Sequence, residues 1–177
     1  MIIRKADKTD LENIMKLYRS CVAGMIKNGI DQWDESYPNP EIIRADLQAG
    51  TYYVAQIKEE IIGGINIDQN QDKTYLDINW EDTSDSFLVV HRLAVKEEFW
   101  NKKIGKELML FTQKLVIEKG LKSIRLDTYS GNPKAMEFYR RLGYSKLGTI
   151  DLKPNKNEYY CFEKLVKIQQ ITFRRNN

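Results

Sequence analysis

The chain has 177 residues, enough for one domain with a sizeable core, and 42% of them are hydrophobic against 30% charged. Twenty-eight Lys and Arg face 25 Asp and Glu, a net charge of +3, which excludes bulk electrostatic attraction to nucleic acid as a basis for function. No run of about 18 apolar residues is present to cross a membrane as a helix, and the opening "MIIRKADKTDLENI" turns charged too early for a secretory signal.

In chain order, "MIIRKA" reads as a strand and "DKTDLENIMKLYRSCVAGMIKNG" as a helix, with Thr9 and Glu12 as its capping box. "GIDQWDESYPNP" follows as a loop. "PEIIRADLQAG" is a short helix entered at Pro40 and ended by Gly50. "TYYVAQIK" and "EIIGGINID" form two strands joined tightly through Glu59 and Glu60. The polar stretch from Gln69 to about Asp85 contains one further strand candidate, "YLDINW". "SFLVVHRLAV" is a β-branched strand, "KIGKELMLFTQKLVIEKG" a helix, and "KSIRLDTYS" a buried strand. "NPKAMEFYRRLGY" is a helix with Asn132 as N-cap, Pro133 in its first turn and Gly143 after its last. "YSKLGTIDL" and "NEYYCFEKLV" close the fold as a hairpin. The pattern predicts an α/β (α+β) mixed sheet with helices on both faces, parallel in the middle and antiparallel on either side. Residues 1–165 are expected to form one domain and 166–177 a tail.

Two cysteines, Cys21 and Cys161, match no metal or redox spacing and read as reduced thiols of a cytoplasmic protein. With His91 as the single histidine, a zinc site is not expected, and no other metal site either. One local oddity remains. Lys102, Lys103 and Lys106 crowd the start of a helix, where the macrodipole disfavours cations. They become favourable if that helix start binds an anion such as a phosphate.

Two motifs carry a resemblance over nearly the whole chain. Leu93, Ala94 and Val95 end a strand and lead through Trp100, Asn101, Lys102, Lys103 and Ile104 to Gly105. Asn132, Pro133, Ala135, Phe138, Tyr139, Leu142, Gly143 and Tyr144 reproduce the pattern N-P-x-A-x-x-F-Y-x-x-L-G-Y. The chain thereby resembles the GNAT superfamily of acyl-CoA-dependent N-acetyltransferases. The second motif is intact. The first departs from the family: Trp100 stands where Arg or Gln is usual, and Lys103 where the first glycine is. A nest of backbone amides survives at Lys103 provided its φ is negative.

The resemblance implies about seven strands, with the sheet splayed between the fourth and fifth. It also implies acetyl-CoA as cofactor. Its arm would run along the backbone of Leu93, Ala94 and Val95, a backbone N–H near Leu93 serving as oxyanion donor. Its phosphates would sit on Trp100 to Lys106, Asn132 would bond the pantetheine amide, and Ala135 and Phe138 would also contact the cofactor. Tyr139 is implied as the acid that protonates the leaving thiolate; a phenol of pKa about 10 suits a thiol of similar pKa. Serotonin N-acetyltransferases of this superfamily carry a histidine two residues before the L-A-V-like run, the position of His91. A histidine titrates in the right range for a general base, and alternation predicts that it shares a face with Val89, Leu93 and Val95. Asp34, Glu35 and Asp127 are alternative bases.

For the acceptor site, the expected residues are Trp33 and Tyr37, with Asp31, Asp34 and Glu35 near them, then Trp80 (with Glu81 and Asp82) and Asp127. Aromatics with carboxylates suit a cationic amine. The expected activity is acetyl transfer to a primary amine, on a small molecule or a peptide, by direct attack in a ternary complex. Cys161 has no visible partner base for a covalent route. The rival reading is a non-catalytic acyl-CoA sensor of the same fold. No membrane or nucleic-acid partner is expected, and pairing of two copies is left open.

Overall fold

The computed structural model describes residues 1–152 and 157–167. β1 (Ile2–Lys5) leads through a 3-10 turn (Lys8–Asp10) into α1 (Leu11–Lys27). The capping box here is made by Asp7 and Asp10, not by Thr9 and Glu12. The Asp7 carboxylate accepts the Thr9 N–H at 2.8 Å, and the Asp10 carboxylate accepts the Asp7 N–H at 2.9 Å. Asp10 wins because Arg4 grips it through two bonds of 2.7 and 2.8 Å, whereas exposed Glu12 pairs with Lys16.

α2 (Pro40–Ala49) starts under an Asn39 cap and ends at Gly50, whose φ of 66° is the left-handed conformation that terminates helices. β2 (Tyr52–Ile57) and β3 (Glu60–Asp68) form the tight hairpin. The strand expected at "YLDINW" is absent. Lys73–Asp77 is a 3-10 turn instead, and the Trp80 indole N–H donates back to the Tyr75 carbonyl at 2.9 Å, folding the segment on itself. Then come β4 (Phe87–Val95), α3 (Ile104–Glu118), β5 (Ser123–Tyr129), α4 (Pro133–Arg141), β6 (Ser145–Ile150) and β7 (Tyr159–Leu165). Of the tail expected over 166–177, residues 168–177 lie outside the described residues.

The sheet has seven strands in the order β1-β2-β3-β4-β5-β7-β6, and only β4 and β5 pair in parallel. Ile14, Leu17 and Tyr18 of α1 and Ile43 and Leu47 of α2 pack on Tyr52, Val54 and Ile61 over one face. Leu108 and Met109 of α3 and Tyr139 of α4 pack on Ile62, Ile65, Ile124, Leu126 and Phe162 over the other. Among the described residues no helix is long and apolar enough to cross a membrane.

Two features of β4 position everything that follows. Its parallel register with β5 runs from Phe87↔Ser123 to Val90↔Leu126 and stops, while β5 continues along β7 as far as Tyr129↔Tyr159. The sheet splays there, and residues 91–95 have no β5 partner. The second feature is a bulge. Arg92 has φ 52°, and the β3 register slips between Gly64↔Ala94 and Asn66↔His91. The slip ends the expected alternation: Leu93 and Val95 pack with Leu88 and Val90, whereas Val89 packs with Phe87 on the opposite face. His91 therefore does not share a face with Leu93 and Val95.

Candidate active site

At the turn before α3, Asn101 and Lys103 both have left-handed backbone, at φ 63° and 65°. The condition that Lys103 keep a negative φ is thus not met; lysine occupies a glycine-like conformation, at a cost of about 1–2 kcal/mol. Lys103 offers α3 no side-chain cap, and among the described residues the first-turn N–H groups of Ile104, Gly105 and Lys106 have no carbonyl partner. Lys102, Lys103 and Lys106 are exposed around them, and the Lys102 ammonium lies 4.8 Å from the Phe99 ring centre. The set of free amides, dipole and three cations fits a diphosphate. A Cβ on Gly105 would come within 3.3 Å of Phe138, so this glycine lets α4 approach α3 closely.

Two expected contributors here use their side chains elsewhere. The Ile104 side chain is buried in the core. The Trp100 indole donates to the Val95 carbonyl at 2.8 Å and its ring lies over Gly24 of α1. Trp100 thus packs on the helix layer, and only its backbone belongs to the turn.

Ala135 and Phe138 of α4 pack on the same core cluster as Leu93 and Val95. Asn132 caps the helix by accepting the Ala135 N–H at 3.0 Å, and its amide donates to Gln32 of the loop after α1 at 2.8 Å. Tyr139 is buried, its ring 5.1 Å from Phe138, 5.9 Å from Tyr144 and 6.1 Å from Phe162. Burial, and to a lesser extent the charge of Asp127, pushes its phenol well above the ordinary value. It is held neutral, and the raised pKa makes it a weaker acid than the free phenol, so the close match to a thiol expected from the sequence is not kept.

On the other side of the splay lies a pocket of about 460 Å³. Trp33, Tyr37, His91, Arg92 and Asp127 all line it. Trp33 stacks edge-on between Tyr18 and Tyr37, at 5.7 and 6.3 Å. Asp127, near the end of β5, accepts a 2.7 Å bond from the Tyr75 hydroxyl, and its burial raises its pKa. Arg92 reaches Asp46 of α2 through bonds of 2.7 to 3.1 Å; burial alone would lower its pKa, but the Asp46 charge overrides this and keeps it charged. The His91 ring nitrogen Nε2 is 3.1 Å from Asp68 and 3.0 Å from the Asn70 carbonyl.

Trp80 is not in the pocket. Its ring packs behind Tyr75 at 5.2 Å and against the Arg125 guanidinium at 4.5 Å, while the Glu81 and Asp82 N–H groups bond Glu163. Tyr75 forms the wall instead. Tyr75, Arg92, Asp68 and Gln32 were not among the residues expected from the sequence. Only long-range packing brings them here, and no local spacing marks them.

Comparison with known proteins assigns the chain to a family. The sequence model of the acetyltransferase (GNAT) family matches residues 11–144. The chain belongs to the GNAT acetyltransferase family. It is 23% identical over 157 residues to the uncharacterized N-acetyltransferase YesJ of Bacillus subtilis, covering 88% of this chain and 84% of that one. A GNAT-family acetyltransferase from Streptococcus agalactiae shares its fold with a TM-score of 0.78 at 24% identity, over 94% of this chain and 96% of that one. The PaiA N-acetyltransferase of Thermoplasma acidophilum, solved in complex with coenzyme A, has a TM-score of 0.66 at 22% identity over 93% and 98%. The cofactor of this GNAT acetyltransferase is acetyl-CoA.

Proposed function

We propose that residues 1–165 act as one catalytic domain that acetylates a primary amine from acetyl-CoA by direct attack in a ternary complex. One observation carries this reading. The β4–β5 pairing ends at Val90↔Leu126, with the uncapped start of α3 following β4 and a pocket lined by His91 and Asp127 beside the gap. Acetyl-CoA supplies the activated acetyl thioester. The amides of Ile104, Gly105 and Lys106 with Lys102, Lys103 and Lys106 hold its phosphates, and the stretch of β4 beyond its β5 pairing, residues 91–95, takes its extended arm. Asp127, a carboxylate whose hydrogen-bond partner is a neutral phenol, attracts the ammonium form of the acceptor, and Trp33 and Tyr37 wall it. His91 removes the proton that the amine must lose, and Tyr139 gives one to the departing sulfur.

A pocket of about 460 Å³ suits a small-molecule amine. Cys161 does not serve as a covalent relay. It is fully buried, and desolvation, with the Asp127 charge, pushes its thiol up to about 12.

The test is thiol release on mixing the protein with acetyl-CoA and a panel of small primary amines, with the acetylated product identified by mass. Amine-dependent release is expected. Release with no amine of the panel, at any concentration of acetyl-CoA, contradicts the reading.

A further inference from the structure

The surroundings of His91 specify which of its nitrogens can accept a proton. Nε2 meets two atoms, a carboxylate oxygen of Asp68 and the carbonyl oxygen of Asn70, and both are acceptors. A ring nitrogen between two acceptors carries hydrogen, so the neutral ring is the Nε2–H tautomer and its lone pair is on Nδ1. Among the described residues nothing bonds Nδ1.

Asp68 is itself held on both oxygens. Oδ1 accepts the Asn70 N–H at 2.8 Å as well as His91, and Oδ2 accepts the Asn66 side-chain amide at 3.1 Å. Asn66 is fully buried and lies opposite His91 across the register slip. Burial would raise the Asp68 pKa, yet His91, Asn70 and Asn66 together bring it below the ordinary value, so Asp68 stays ionised. The bulge that breaks the alternation of β4 thus sets a row of buried Asn66 and half-buried Asp68 and His91 beside the pocket.

We propose that Asp68 is a positioning residue of the transfer: it fixes His91 as the Nε2–H tautomer and so makes Nδ1 the atom that takes the amine proton. This rests on the acetyltransferase reading above. The proton of the acceptor R–NH3+ moves to Nδ1 and frees the nitrogen lone pair. The lone pair forms the new C–N bond, the C–S bond breaks with its electrons going to sulfur, and sulfur takes a proton from Tyr139. His91 then returns its proton to solvent, and Tyr139 recovers its own from the amide nitrogen by way of water.

Because His91 is the only histidine, nitrogen NMR of the histidine-labelled protein reads this one ring without assignment. The wild type is expected to show the Nε2–H pattern in its neutral form. Asp68→Ala should give a mixture of tautomers and lower kcat by about 10- to 100-fold, with the KM for acetyl-CoA unchanged. Asp68→Asn, whose carbonyl can still accept from Nε2–H, should restore the tautomer and most of the rate. An Nδ1–H ring in the wild type, or an unchanged tautomer in Asp68→Ala, overturns the proposal. So does a locked tautomer in an active enzyme whose His91→Ala variant keeps full kcat. Failure of the acetyltransferase reading has a different signature, absence of thiol release by the wild type with the histidine spectrum unaltered.

Discussion

The helix start at residues 101–106 and the pocket across the splay are built in opposite ways. The first is one contiguous segment whose distinctive features lie in its backbone: first-turn amides, two left-handed residues and the dipole of α3. The second is assembled from side chains of the loop after α1, the 70–75 segment, β4, β5 and Tyr159. Contiguous backbone sites tolerate side-chain change, which is why Trp100 and Lys103 can replace the usual residues and leave the amides in place. A pocket made by distant side chains has no such tolerance, and there single substitutions should be specific and large.

The sharpest break between the two halves is expected from Tyr139→Phe, which removes a single hydroxyl. kcat should fall by about 10²–10⁴-fold with acetyl-CoA affinity unchanged, as measured by steady-state kinetics beside calorimetry. An unchanged rate would contradict Tyr139 as the acid that protonates the leaving sulfur.

Asp127→Asn should act on the pocket half alone, raising the amine KM about tenfold or more and leaving acetyl-CoA binding intact. Its stability has a defined sign. Because burial raises the Asp127 pKa, folding favours the protonated form. That contribution is complete below the ordinary carboxyl pKa of about 4 and is lost as pH rises through the raised value. Asn cannot ionise, so the variant should melt higher than wild type at pH about 7, and the gap should shrink toward pH about 4.

Smaller effects belong to the backbone-built half. Lys102→Ala with Lys106→Ala should weaken acetyl-CoA several-fold and flatten the salt dependence of binding, without moving the amine KM. The least change is expected from Lys103→Gly. Relieving the left-handed lysine should stabilise the fold by about 1 kcal/mol in a denaturant titration, with acetyl-CoA affinity within about threefold of wild type because the amides remain.

The same contrast explains what could be read from the sequence. The strand-turn-helix around Gly105 and the α4 motif from Asn132 to Tyr144 are local, and their periodicity and caps specify them directly. The parallel β4–β5 pair follows from strand and helix alternation, and Trp33, Tyr37, His91 and Asp127 do line one pocket. Trp80 misled because an aromatic beside two acids looks like a binding wall, whereas its indole is engaged by Tyr75 and Arg125. The Arg92 bulge leaves no mark in "VVHRLAV", since a non-glycine residue at φ 52° depends on tertiary support from Asp46 and from Tyr18, whose hydroxyl bonds the Arg92 carbonyl at 2.9 Å. Asp68 is invisible for the same reason: its pairing with His91 exists only after that slip.

Calorimetric titration of the protein with acetyl-CoA, beside the form lacking the 3′-phosphate, tests most directly that these halves form one acetyl-transfer site. Micromolar binding that weakens without that phosphate is the expected result. No binding up to millimolar concentration would contradict it, because the amides and lysines at the start of α3 would then hold no cofactor.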